Sequence, residues 1–82
     1  MHQNQSKRDN NKQLTAMRVA EMQALCNQTE SSVQLTYMFK FRSYEAIVRS
    51  NSIYGSRVFT GDFIEVLDQC IKHLGDILTL PF

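Results

Sequence analysis

The stretch VQLTYMFKF, Val33 to Phe41, sets an apolar or aromatic residue at every odd position and, Met38 apart, a polar one at every even position. Side chains of an extended chain alternate between two faces, so a period of two predicts a half-buried strand. The odd face, Val33, Leu35, Tyr37, Phe39 and Phe41, is expected in the core. The segment YEAIV, residues 44–48, carries β-branched Ile47 and Val48 that favour a second strand. A two-residue turn at Arg42-Ser43 would set Phe41 opposite Tyr44, Phe39 opposite Ala46 and Tyr37 opposite Val48. The same register sets Lys40 beside Glu45 and Met38 beside Ile47, so both faces match. Arg-Ser is not a preferred turn dipeptide, and a longer loop would shift this register.

Working outward, residues 50–52 (SNS) read as a turn and IYGSRVFT as a third strand weakened by Gly55, whose register the pattern leaves open. The last segment reads as a helix. Gly61 breaks the strand, and Asp62 with Glu65 three residues later forms a variant of the capping box. Phe63, Val66, Leu67, Cys70, Leu74, Ile77 and Leu78 then fall on one face, widened by Ile64 and Ile71. Glu65, Asp68, Gln69, Lys72 and Asp76 fall opposite. The pattern extends to about Leu80, before Pro81, with Gly75 as a point where the helix could kink or stop. The apolar terminus LTLPF is expected to dock either on this domain or on a partner.

Upstream, residues 1–10 have no apolar residue after Met1 and read as a flexible tail. Residues 11–29 read as a helix with apolar residues on two sides. Thr15, Val19, Met22 and Cys26 make one stripe and Leu14, Met17, Ala24 and Leu25 another, separated by Arg18 and Glu21. Two contacts would satisfy such a helix, one in its own domain and one in a second copy through Val19, Met22 and Cys26. One broad core would satisfy it equally. The elements sum to a two-layer α+β domain over residues 11–82, in the order helix, three-stranded antiparallel meander, helix (α-β-β-β-α).

Composition bounds what such a domain can do. With 82 residues, 43% of them apolar and 21% charged, the chain fits one small globular domain. Chains this short bury only roughly 60% of the surface they expose when unfolded, so oligomerisation is expected to add stability. Cys26 and Cys70 are too few for a disulfide framework and lack metal or redox spacing, which reads as buried thiols in a reducing compartment. No apolar run approaches the roughly 20 residues of a membrane span, and no signal-peptide pattern opens the chain. A cytoplasmic protein with no membrane partner is the expectation.

The residues offer little chemistry. His73 and Asp76 lie one helical turn apart, but no nucleophile or cleft accompanies them, and they make no recognised zinc or calcium spacing with Asp68 or Cys70. Gly55, Gly61 and Gly75 are isolated and form no phosphate cradle. The expectation is no enzyme, no catalytic residue, no metal and no cofactor. The net charge is +1, yet residues 31–60 carry Lys40, Arg42, Arg49 and Arg57 against Glu45 alone, while residues 61–82 carry four acids against Lys72. Those four cations, with Lys7, Arg8, Lys12 and Arg18, support an alternative reading as a nucleic-acid-binding regulator. The element order is similar to that of double-stranded RNA-binding domains. That resemblance implies a lysine-rich start to the second helix, where this chain has Asp62 and Glu65, which repel phosphate. The main expectation is therefore a small homodimeric protein-interaction module that regulates or inhibits a protein partner. Its candidate binding surface is the even sheet face: Gln34, Thr36, Met38 and Lys40, with Glu45, Ile47 and Arg49 alongside.

Overall fold

Helix α1 (His2–Thr29), strands β1 (Ser31–Met38), β2 (Ser43–Ser50) and β3 (Ser56–Gly61), and helix α2 (Phe63–Thr79) follow one another in the order the sequence predicts. This computed structural model describes residues 2–50 and 55–79, with side chains described from Lys12 onward. The strands form an antiparallel meander in the order β1-β2-β3, and both helices pack on one side of it. Of the turn expected at residues 50–52, Ser50 ends β2 and donates its N–H to the Gly55 carbonyl at 3.1 Å; residues 51 and 52, the strand start at Ile53 and Tyr54, and the last three residues of LTLPF lie outside the described residues.

Helix α2 builds the core. Its backbone begins where the Val66 amide donates to the Asp62 carbonyl at 2.9 Å, which makes Asp62 the cap that the D-x-x-E pattern implies. Just before it, Gly61 has φ +148, a backbone conformation that residues with a Cβ rarely adopt, so the turn into the helix favours glycine there. Val66, Leu67, Cys70 and Leu74 are wholly buried against Ala46 and Val48 of β2. Phe63 and Ile71 pack around them, whereas Ile64 and Leu78, assigned to the same face, stay exposed.

The helix runs unbroken through Gly75, without the expected kink or stop. A Cβ at Gly75 would meet nothing within 4 Å. Gly75→Ala is therefore expected to stabilise the fold by about 0.5–1 kcal/mol, raising the thermal midpoint by roughly 2–8 °C. Circular dichroism melting checks this, and a lower midpoint would show that the glycine is needed there.

Helix α1 starts at His2, inside the stretch whose composition predicts a tail, and no glycine or proline interrupts it before Thr29. It packs mainly along α2 and only lightly on β1. Met22 is buried in the core, and Val19, Leu25 and Cys26 pack against it. Met22 is thus taken up by the core, while Val19 and Cys26, the rest of the expected dimer face, are half-buried. Arg18, read as the separator of the two stripes, bridges the helices in an exposed pair, its Nε donating to Asp68 Oδ1 at 2.7 Å. An ion pair this exposed adds only about 0.2–1 kcal/mol, so its main effect is to let a charge sit in the helix seam. Leu14 and Met17 remain exposed. Glu30, at φ 53, ends α1 in the left-handed region, and β1 begins one residue later.

The β1–β2 hairpin departs from the expected register. Tyr37 pairs with Tyr44, Leu35 with Ala46 and Val33 with Val48, while Thr36 faces Glu45 and Gln34 faces Ile47. A four-residue loop, Phe39 to Arg42, replaces the two-residue turn. Phe41 N donates to the Met38 carbonyl at 3.1 Å and Arg42 N to the Phe39 carbonyl at 3.3 Å, with Arg42 at φ 50. Phe39, Lys40 and Phe41 consequently leave the strand. The displacement is even, so each remaining strand residue keeps its expected face. In β3, Phe59 pairs with Ala46, Val58 with Ile47 and Arg57 with Val48, a register the sequence left open.

Candidate interaction surface

The core claims less of the odd face of β1 than the alternation predicts. Val33 packs against it, but Leu35 is 37% exposed, Tyr37 50%, Phe41 68% and Phe39 85%. The expected burial of this row fails for two reasons: the loop carries the phenylalanines off the sheet, and α1 covers β1 only thinly. Tyr37 retains an aromatic contact, 5.0 Å between ring centroids with Tyr44, which in turn sits 5.1 Å from Phe63. Beside it, an open groove of about 430 Å³ runs between α1 and β1, lined by Val19, Met22, Cys26, Val33 and Leu35.

β1 is also an edge strand. Its eight residues, SSVQLTYM, contain no charge and no proline, two of the devices that normally stop an edge from pairing with another chain. The opposite edge, β3, is six residues long and carries Arg57.

The other face of the sheet bears no helix among the described residues. It presents Gln34, Thr36 and Met38 of β1 and Glu45, Ile47 and Arg49 of β2, the residues proposed from sequence, with Val58 of β3 added at 56% exposure. Arg49 Nη1 donates to Gln34 Oε1 at 3.1 Å across the strands. Lys40 sits in the hairpin loop and so leaves this surface. The cations do not gather. Arg49 is on the open face, Arg42 and Lys40 are in the loop, and Arg57 shares the helix-covered face with Val48.

Sequence reasoning missed two features, the exposed Leu35–Tyr37 edge and a cleft between β3 and α2. That cleft, about 290 Å³, is lined by Arg57, Phe59, Gln69, Lys72, His73 and Asp76. Burial, then the Arg57 guanidinium, hold the His73 imidazole below the usual histidine range against the opposing influence of Asp76. The parity of β3 would have revealed Arg57 once its register was known. Among the described residues no three His, Cys, Asp or Glu side chains group as a metal site.

The cysteines are free thiols within the core. Burial, with the neighbouring Cys26 adding to it, pushes Cys70 up to about 11, and burial raises Cys26 as well. Since only the thiolate attacks, a group near 11 is ionised to roughly one part in a thousand at pH 8. A disulfide-exchange reagent at that pH is expected to label partly exposed Cys26 first, with Cys70 at least about 100-fold slower until the protein unfolds. Mass spectrometry of the time course reads this directly.

No family model, curated protein or solved structure matches this chain. The reading of its surfaces therefore rests on the geometry above. No helix among the described residues is long and apolar enough to cross a membrane.

Proposed function

We infer that the protein is a small non-enzymatic interaction module, a homodimer that pairs through β1 and regulates or inhibits a protein partner through its open sheet face. The observation that carries this reading is the uncharged, proline-free edge of β1 beside an open apolar groove. The strand is complementary to itself. An antiparallel pair centred on Leu35 sets Leu35 against Leu35, Val33 of one copy against Tyr37 of the other, and Gln34 against Thr36, so apolar meets apolar and polar meets polar. No like charges oppose each other in that register.

Such pairing would join the two meanders into one six-stranded sheet and extend the groove lining across the axis. The two open faces would then form one mixed surface, neither strongly basic nor wholly polar, which suits a protein partner. A nucleic-acid surface would need Lys40, Arg42, Arg49 and Arg57 on one side, and Arg49 and Arg57 lie on opposite faces of the sheet. Sedimentation equilibrium over a concentration series spanning about 1 μM is expected to give a monomer–dimer transition. A monomer at every concentration would overturn the dimer. Salt-sensitive retention on generic DNA or RNA would overturn the preference for a protein partner.

A further inference from the structure

We propose that the cleft between β3 and α2 binds a phosphate-type oxyanion through Arg57, Lys72 and His73. The site lies at the edge of the sheet opposite β1, so it is independent of the dimer reading.

The placement of Arg57 comes first. Sheet parity puts it on the helix-covered face, paired with Val48, which is wholly buried. On this edge strand Arg57 is itself exposed, so its guanidinium lines the cleft while open to solvent. Among the described residues neither Arg57 nor Lys72 makes an ion pair, although Asp76 lines the same cleft. On α2, Gln69, Lys72, His73 and Asp76 recur at three- and four-residue spacing and so share one side of the helix. Gln69, Lys72 and His73 thus line the cleft from α2, with Arg57 lining it from β3. Phe59 supplies its apolar wall, with its ring centroid 5.7 Å from that of His73 in an edge-on arrangement.

The donor set selects the ligand class. Two permanent cations and an amide face one carboxylate, so the cleft has surplus N–H donors and only a single anionic oxygen pair. A divalent cation would need several oxygen ligands and finds one carboxylate here. An oxyanion instead matches the guanidinium fork with two of its oxygens and leaves others for Lys72 and His73. At about 290 Å³ the cleft falls just below the usual range of small-molecule sites, roughly 300–1,000 Å³, which favours a compact anionic group over a large ligand.

The test is an NMR titration of the full chain with inorganic phosphate at constant ionic strength. Saturable shifts confined to Arg57, Phe59, Gln69, Lys72 and His73 are expected, with a dissociation constant of about 1 mM or tighter. Lys72→Gln, on an exposed helix position that leaves the fold alone, should weaken binding about tenfold, and Arg57→Gln at least as much. Non-saturating shifts, equal shifts with chloride, or unchanged binding in Lys72→Gln would each overturn the site. The same oxyanion can arrive free or on a protein side chain. A phosphoserine peptide that binds more tightly than inorganic phosphate, while its unphosphorylated form does not bind, assigns it to a side chain; the reverse order assigns it to a free anion.

Discussion

Replacing Leu67 by alanine is expected to lower the stability of the fold by about 2–5 kcal/mol, the range for a buried leucine whose surroundings only partly collapse. Leu67 is wholly buried on α2, in the cluster that joins Val66, Cys70 and Leu74 to Ala46 and Val48 of β2. It thus links the helix layer to the central strand, and a cavity there loosens both. A domain of this size has only roughly 4–12 kcal/mol in total, so the substitution removes a large part of it. The thermal midpoint should fall by roughly 10–40 °C. Phe39→Ala makes the contrast. Phe39 is a larger side chain within the alternating stretch, but at 85% exposure its loss should change stability by no more than about 0.5 kcal/mol. Urea unfolding of both variants decides the matter: a Phe39→Ala penalty approaching that of Leu67→Ala would mean that the hairpin loop folds back onto the core in solution.

That contrast shows which parts of the structure are legible in local pattern. Helix α2 was readable because its signals are all local: Asp62 and Glu65 at the cap, and a wide apolar stripe that one helix presents to one core. The faces of β1 and β2 were readable too, since parity survives any even displacement of the partner strand. The register was not. Loops of two and four residues differ by an even displacement and leave the same alternation, so only turn chemistry at Phe39–Arg42 separates them, and Arg42 in the left-handed region is not a signal that its side chain advertises. The choice between the two stripes of α1 was hidden for another reason. Both are apolar, and the partner that takes Val19, Met22 and Cys26 into the core is α2, whose Asp68, 50 positions from Arg18, bridges the two helices. The open sheet face was legible apart from Lys40, whereas the cleft around Arg57 depended on the register of β3, which no local pattern supplied.

Leu35→Lys is expected to convert the dimer into a monomer, with a dissociation constant raised by at least about 100-fold. In the self-complementary register Leu35 lies on the two-fold axis, so one substitution acts twice: it removes from each copy the burial of a side chain that is 37% exposed in the monomer, worth about 0.5–1 kcal/mol, and brings two ammonium groups together near the axis. The two effects together approach the stated loss, because 1.4 kcal/mol is tenfold in affinity. The monomer can accept the change. At 37% exposure Leu35 lies at the rim of the core, and a lysine stem can lie along the groove beside Val33 while its charge reaches water. A melting midpoint measured in dilute solution, where dissociation has already occurred, should therefore move far less than in Leu67→Ala. Leu35→Ile, which keeps apolar contact on the axis, should remain dimeric. If Leu35→Lys sediments as a dimer with wild-type affinity, β1 is not the pairing edge, and the uncharged strand must be covered by something other than a second copy of itself.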